Sequence, residues 1–138
     1  MFHVYISACF IDIEPLSVVE LFQSQGCVSC LPTVPKTLQT TMDPNLLLLT
    51  YDVTYLDHLG WTDTFGNRKW DKKQDYVKQW GRTTVFTPQV IVGGVADGTG
   101  AVEGEVMEIV RAAREARVQM PWYIVIDTND TELMIDSN

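Results

Sequence analysis

Val18-Val19-Glu20-Leu21-Phe22-Gln23-Ser24-Gln25-Gly26-Cys27-Val28-Ser29-Cys30-Leu31-Pro32 is the stretch on which the reading of this chain turns. From Ser17 to Phe22 the apolar residues Val18, Val19, Leu21 and Phe22 follow the pattern of a short buried strand. Gly26 breaks it. A helix is expected over 28–41. Pro32 falls in its opening turn, where the amide that proline lacks has no helical partner anyway. Pro35 either extends an irregular start or kinks the helix. Two cysteines therefore stand where a strand hands over to a helix.

That position has chemical meaning. A free thiol has a pKa of about 8.5, and a helix N-terminus lowers it by about one unit or more, because unpaired amides and the helix dipole stabilise a thiolate. Two intervening residues give the second sulfur the reach to attack a disulfide formed by the first. Cys27 is the candidate nucleophile and the exposed sulfur of the pair, and Cys30 is the resolving thiol. Two other readings compete: a pair of buried, inert cysteines, and half of a zinc site. Structural zinc takes four Cys or His ligands. Only Cys9, His3 and His58 remain to complete the set, at spacings that match no zinc ribbon.

Outward from the dithiol, the elements alternate. Upstream, Val4 to Ile13 reads as an extra N-terminal strand, separated by Pro15. Downstream, Asp43-Pro44-Asn45 is a turn, and the continuous apolar run Leu46–Val53 is expected to be a central strand. Tyr55 to Gly66 has no clear period. Residues 67–80 are expected to be helical, with Trp70, Val77 and Trp80 on one face and Gly81 as the stop. Val85 to Val92 is extended, Gly93-Gly94 turns, and Val95-Ala96 begins a return strand before a second turn at Asp97-Gly98-Thr99-Gly100. Val102 to Met120 carries Val106, Ile109, Val110 and Ala113 at helical spacing and ends at Pro121. Trp122–Asp127 and Glu132–Asp136 form a hairpin around Thr128-Asn129-Asp130. Without the outer strands the order is βαβαββα, an α/β fold with a central mixed sheet flanked by helices. The expected organisation is one domain over 1–138, with its core at about 17–120 and a short β extension over 121–138.

Composition agrees with a globular domain: 138 residues, 46% hydrophobic and 20% charged. The net charge of −8 opposes nucleic acid and anionic lipid as partners. Arg68, Lys69, Lys72, Lys73 and Lys78, then Arg111, Arg114 and Arg117, read as two solvated helix faces. Met1 to Leu16 has no basic leader and is interrupted by Asp12 and Glu14, so no signal peptide is expected. No run approaches the roughly 18 apolar residues of a membrane span. A cytoplasmic location is the default expectation.

Thr87-Pro88 is the dithiol's expected companion. The pair resembles the cis-proline loop of thioredoxin-like domains, which lies against the dithiol and presents the backbone of the preceding residue to an extended substrate. The competing reading is an ordinary trans proline at an edge strand. The stretch quoted at the outset also resembles the opening of the DUF1223 family, thioredoxin-like proteins of uncertain function. Tyr51 to Asp63, with Asp57-His58-Leu59-Gly60-Trp61-Thr62-Asp63, then Phe65, Gln74, Tyr76, Thr87-Pro88-Gln89-Val90-Ile91-Val92 and Gly94 carry the likeness, which covers about 17–120. This chain departs from the family pattern at Asp52, where the family has His, and at Thr54, where it has Asp. Family members continue into a further β-rich region. The terminal strands here are therefore expected to pair with the N-terminal strand or with a second subunit in a homodimer.

The likeness implies a thiol-disulfide oxidoreductase acting on a protein or small-molecule thiol or disulfide. Cys27 attacks, Cys30 resolves, Thr87 and Pro88 position the substrate, and Gln25 and Trp61 lie on the substrate side. The redox-active disulfide Cys27–Cys30 is then the sole cofactor. Thioredoxins carry a buried acid on the strand leading to the dithiol, and Glu20 fits that proton-moving role if it points inward; a capping or edge glutamate is the alternative. Asp52, Asp57, His58 and Asp63 cluster after the central strand. They raise a second possibility, a Cu or Zn module using Cys27, Cys30 and His58, against the simpler reading of a polar loop. Tyr51, Tyr55, Trp61, Phe65 and Trp70 wall the area. They motivate a third possibility, a non-redox binding protein or biosynthetic enzyme on the same scaffold.

Overall fold

The computed structural model describes residues 16–40, 42–102, 104–119, 124–128 and 133–137. Its centre is a four-stranded mixed sheet in the order β2-β1-β3-β4, built from β1 (Ser17–Gln23), β2 (Leu46–Asp52), β3 (Gln89–Val92) and β4 (Ala96–Gly98). β1 runs parallel to β2, with Ser17 opposite Leu46 and Gln23 opposite Asp52. β1 is antiparallel to β3, and β3 to β4. Helices α1 (Cys30–Thr40), α2 (Arg68–Gln74) and α3 (Glu105–Val118) flank the sheet.

β1 and β3 carry consecutive apolar residues, Val18-Val19 and Leu21-Phe22 on either side of Glu20 and Val90-Ile91-Val92, because they are covered on both faces. Val19, Leu21, Val90 and Val92 face α3 through Val106, Ile109, Val110 and Ala113, with Val34 of α1 packed alongside. Their neighbours in the pleat, Phe22 and Ile91, face the other way, onto Val53 and Val77. α1 comes close to β3 at Gly100, whose φ is +66°. A Cβ there would meet Val90 at 2.8 Å and Thr33 and Thr37 at 3.4 Å.

Several expectations need correction. β2 has β1 as its pairing partner and, among the described residues, forms an edge of the sheet. Leu47 is 44% and Leu49 37% exposed, so the apolar run marks a strand without marking a central one. Residues 67–80 are an α-helix only to Gln74 and a tighter 3-10 helix over Asp75–Trp80, capped by Gly81 at φ +80°. Asp97 and Gly98 lie within β4 rather than in a turn. Pro35 is inside α1. The C-terminal hairpin is present as β5 (Ile124–Thr128) paired antiparallel with β6 (Leu133–Ser137). The Val4–Ile13 strand lies outside the described residues. Among the described residues no helix is long and apolar enough to cross a membrane.

Candidate functional site: a dithiol facing a cis-proline loop

The turn that delivers the dithiol is held from both sides. Ser24 accepts the Gly26 amide on its hydroxyl at 3.2 Å and the Cys27 amide on its carbonyl at 3.1 Å. The Cys27 carbonyl then accepts the Cys30 amide at 3.1 Å, which opens α1. Across the turn lies the 61–66 segment. The buried Asp63 carboxylate accepts the Gln25 amide at 2.7 Å and the Phe65 amide at 2.8 Å. Gln25 Oε1 in return accepts Trp61 Nε1 and Thr64 Oγ1 at 3.2 and 3.1 Å. Gly26 suits this closeness, since a Cβ there would stand 3.2 Å from the Trp61 carbonyl oxygen, a tight contact that the 61–66 segment would have to relax by a few tenths of an ångström to admit. Gln25 and Trp61 are thus brought together beside the dithiol, with Trp61 62% exposed.

The two sulfurs have opposite electrostatics. Burial pushes the Cys27 thiol up, but side-chain hydrogen bonds with Cys30, Ser29 and Thr87 outweigh it and hold Cys27 below its ordinary value. Burial pushes Cys30 up to about 12, helped by its hydrogen bond to Cys27. The first sulfur is the easier thiolate and the second holds its proton. Cys27 is the more accessible of the two but is not exposed: it is 6% accessible and Cys30 3%. Cys27 Sγ donates to the Thr87 carbonyl at 3.5 Å and lies 3.3 Å from Ser29 Oγ. The Thr87–Pro88 peptide is cis.

Two buried glutamines fix that loop. Gln74 Nε2 donates to the Phe86 carbonyl and to Gln89 Oε1, both at 2.8 Å, while Gln74 Oε1 accepts the Tyr55 hydroxyl at 3.1 Å. Gln89 Nε2 donates to Asp97 at 2.8 Å, and Arg82 pairs with the same carboxylate. Neither glutamine is accessible. Sequence reading placed Gln74 in a helix and Gln89 on a strand without giving either a task. A polar residue at the buried position of an otherwise apolar pattern was the available signal.

Glu20 and His58 are placed differently from expectation. Glu20 is buried on the α2 side of the sheet, bound to Lys73 Nζ at 2.9 Å and to the Tyr76 hydroxyl at 2.7 Å. Its carboxylate is committed to that face, the same pleat face as Phe22, rather than to the sulfurs. Lys73 also lies 5.1 Å from the Tyr51 ring centroid and so does not belong to a purely solvated helix face. His58 Nδ1 meets the Tyr55 carbonyl at 2.8 Å and lines a separate open groove with Thr54, Arg68 and Asp71. Among the described residues no three His, Cys, Asp or Glu side chains are grouped to hold a metal ion, so His58 does not complete a site with Cys27 and Cys30. The aromatic residues divide. Tyr51 stacks on Phe22 at 5.0 Å and meets Trp70 at 4.9 Å within the core, whereas Trp61 and Phe65 stay exposed. At the two departures, Thr54 donates its hydroxyl to Asp71 at 2.6 Å. Burial and the nearby Asp63 charge push the Asp52 carboxyl up against the opposing hydrogen bond from Gln23.

A mixed α/β domain that sets a buried dithiol against a cis-proline loop is the class that fold and site define. The sequence profile of DUF1223, a protein family of unknown function, matches residues 18–138, and the chain belongs to that family. The match carries the likeness through the terminal strands, beyond residue 120. A solved structure, protein AGR_C_4864 from Agrobacterium tumefaciens, is similar to this chain at 30% identity with a TM-score of 0.68. The alignment covers 90% of this chain and 57% of that one. No curated protein matches.

Proposed function

We propose that this protein is a thiol-disulfide oxidoreductase with a thioredoxin-like active site. The observation that carries the reading is the asymmetric pair: Cys27 lowered and facing the Thr87 carbonyl, Cys30 raised to about 12 and hydrogen-bonded to it. In the reductive direction the Cys27 thiolate attacks a substrate disulfide. A Cys27–substrate disulfide forms, and the other substrate sulfur leaves as a thiolate that takes up a proton. Cys30 then gives up its proton and attacks Cys27 Sγ. The Cys27–Cys30 disulfide forms and the second substrate thiol departs, so two electrons pass from the dithiol to the substrate. The high Cys30 pKa fits this order, because it withholds the second nucleophile until a proton acceptor is present.

Insulin reduction with dithiothreitol as the electron source tests the reading. Wild type is expected to accelerate it and Cys27→Ser to fall to the uncatalysed rate. Equal rates for the two proteins overturn it.

A further inference from the structure

Beside the resolving sulfur a groove of about 300 Å³ opens between α1 and the ends of β1 and β2. Its helix wall is Leu31, Val34 and Pro35, an i, i+3, i+4 stripe on one side of α1. Its strand wall is Gln23 and Asp52, which face each other in the parallel register. Cys30 also lines it. Leu31 is 71% exposed although apolar. Pro35 has no amide to offer the Leu31 carbonyl, so this wall carries an acceptor without its helical donor.

Among the described residues Asp52 is the one charged residue lining the groove. It is half-buried, with Gln23 hydrogen-bonded to it and the Asp63 charge nearby. Among the described residues no cation pairs with it. Asp63 is already engaged by two amides, which leaves Asp52 as the acid with capacity for a ligand. An apolar trough ending at an unpaired carboxylate suits a side chain with an aliphatic stem and a positive head. The net charge of −8 steers such a ligand in the same direction.

We propose that this groove is a side-chain subsite for the substrate peptide, and that it takes a lysine or arginine close to the reacting cysteine. The identity of the occupant as substrate rests on the oxidoreductase reading; the binding preference does not.

The test is an NMR titration of isotope-labelled Cys27→Ser protein with two short cysteine-free peptides that differ only in carrying Arg or Glu. The Arg peptide is expected to shift the amides of Leu31, Val34 and Asp52 and to bind about tenfold more tightly than the Glu peptide, as one partly desolvated charged hydrogen bond allows. Asp52→Asn should erase that preference. Glu115→Gln, which removes one charge from an exposed position on α3, should retain it. Equal affinities, a preference that survives Asp52→Asn, or no shift at the groove up to the solubility limit each overturn the proposal. Oxidation of the wild-type dithiol by neutral dipyridyl disulfide is followed separately. If the Arg preference holds and that oxidation fails, the subsite stands and the redox reading falls; the reverse result has the opposite meaning.

Discussion

Cys27 and Cys30 differ in chemistry more than in exposure. Hydrogen bonds hold the Cys27 thiol below its ordinary value of 9.0, and burial takes Cys30 from the same value to about 12. Alkylation by iodoacetamide, followed by peptide mass spectrometry across pH, should show Cys27 reacting with a midpoint below 9.0 while Cys30 stays unmodified at neutral pH. Cys30 also links folding to pH. A thiol whose pKa is raised on folding stabilises the native state fully below its unfolded value, and that contribution disappears as pH rises from about 9 to about 12. Urea midpoints over that window should therefore fall less for Cys30→Ala than for the parent. At this scale the sequence was only partly legible. The dithiol and Thr87-Pro88 announce themselves by residue type and spacing. The direction in which Glu20 points does not: alternation along a strand buried on both faces gives no sign of which face carries the chemistry. β1 sends Glu20 to Lys73 and Tyr76, and it is Asp52, from the neighbouring strand, that shares a groove with Cys30.

Among the elements, the loops before and opposite the dithiol are the ones under tight control. The Asp63 carboxylate satisfies two amides, those of Gln25 and Phe65. Asp63→Ala leaves both without that acceptor, and because the two amides are only partly buried the expected cost is about 0.5–1.5 kcal/mol for each hydrogen bond lost, measured by urea denaturation. Insulin reduction should fall with it, because the Ser24–Gly26 turn sets where Cys27 lies. Gln74→Leu removes the donor that holds the Phe86 carbonyl and strands Gln89 Oε1. It should slow the reaction through displacement of Thr87 while leaving Cys27 present and alkylatable. These braces escaped sequence reading because a glutamine in a helix pattern is ordinarily solvated, and its partners lie 12 and 15 residues away in the chain.

The molecule as a whole rests on two apolar layers against one sheet, and these were the most legible part. The apolar pattern of 17–22 matches β1 to within one residue, while the extended stretch from Val85 begins four residues before β3 and the periodic stretch Val102–Met120 overruns α3 by three residues at its start and two at its end. What periodicity reports is burial rather than neighbours, and so Leu46–Val53 suggested a central strand although Leu47 and Leu49 are exposed on an edge. Phe22 is fully buried where β1 meets Val53, Val77 and Ile91. Phe22→Ala should cost about 3–5 kcal/mol in chemical denaturation, because the surrounding layer can close only in part around the cavity.

The function proposed for this fold comes down to which sulfur meets the substrate. In a Cys9→Ser background, Cys30→Ser protein incubated with an oxidised peptide should accumulate a covalent adduct under non-reducing conditions. Tandem mass spectrometry should map its disulfide to Cys27, and dithiothreitol should release it. The absence of an adduct under conditions where the peptide oxidises free thiols, or an equal yield from Cys27→Ser protein that retains Cys30, would contradict a mechanism in which Cys27 attacks and Cys30 resolves.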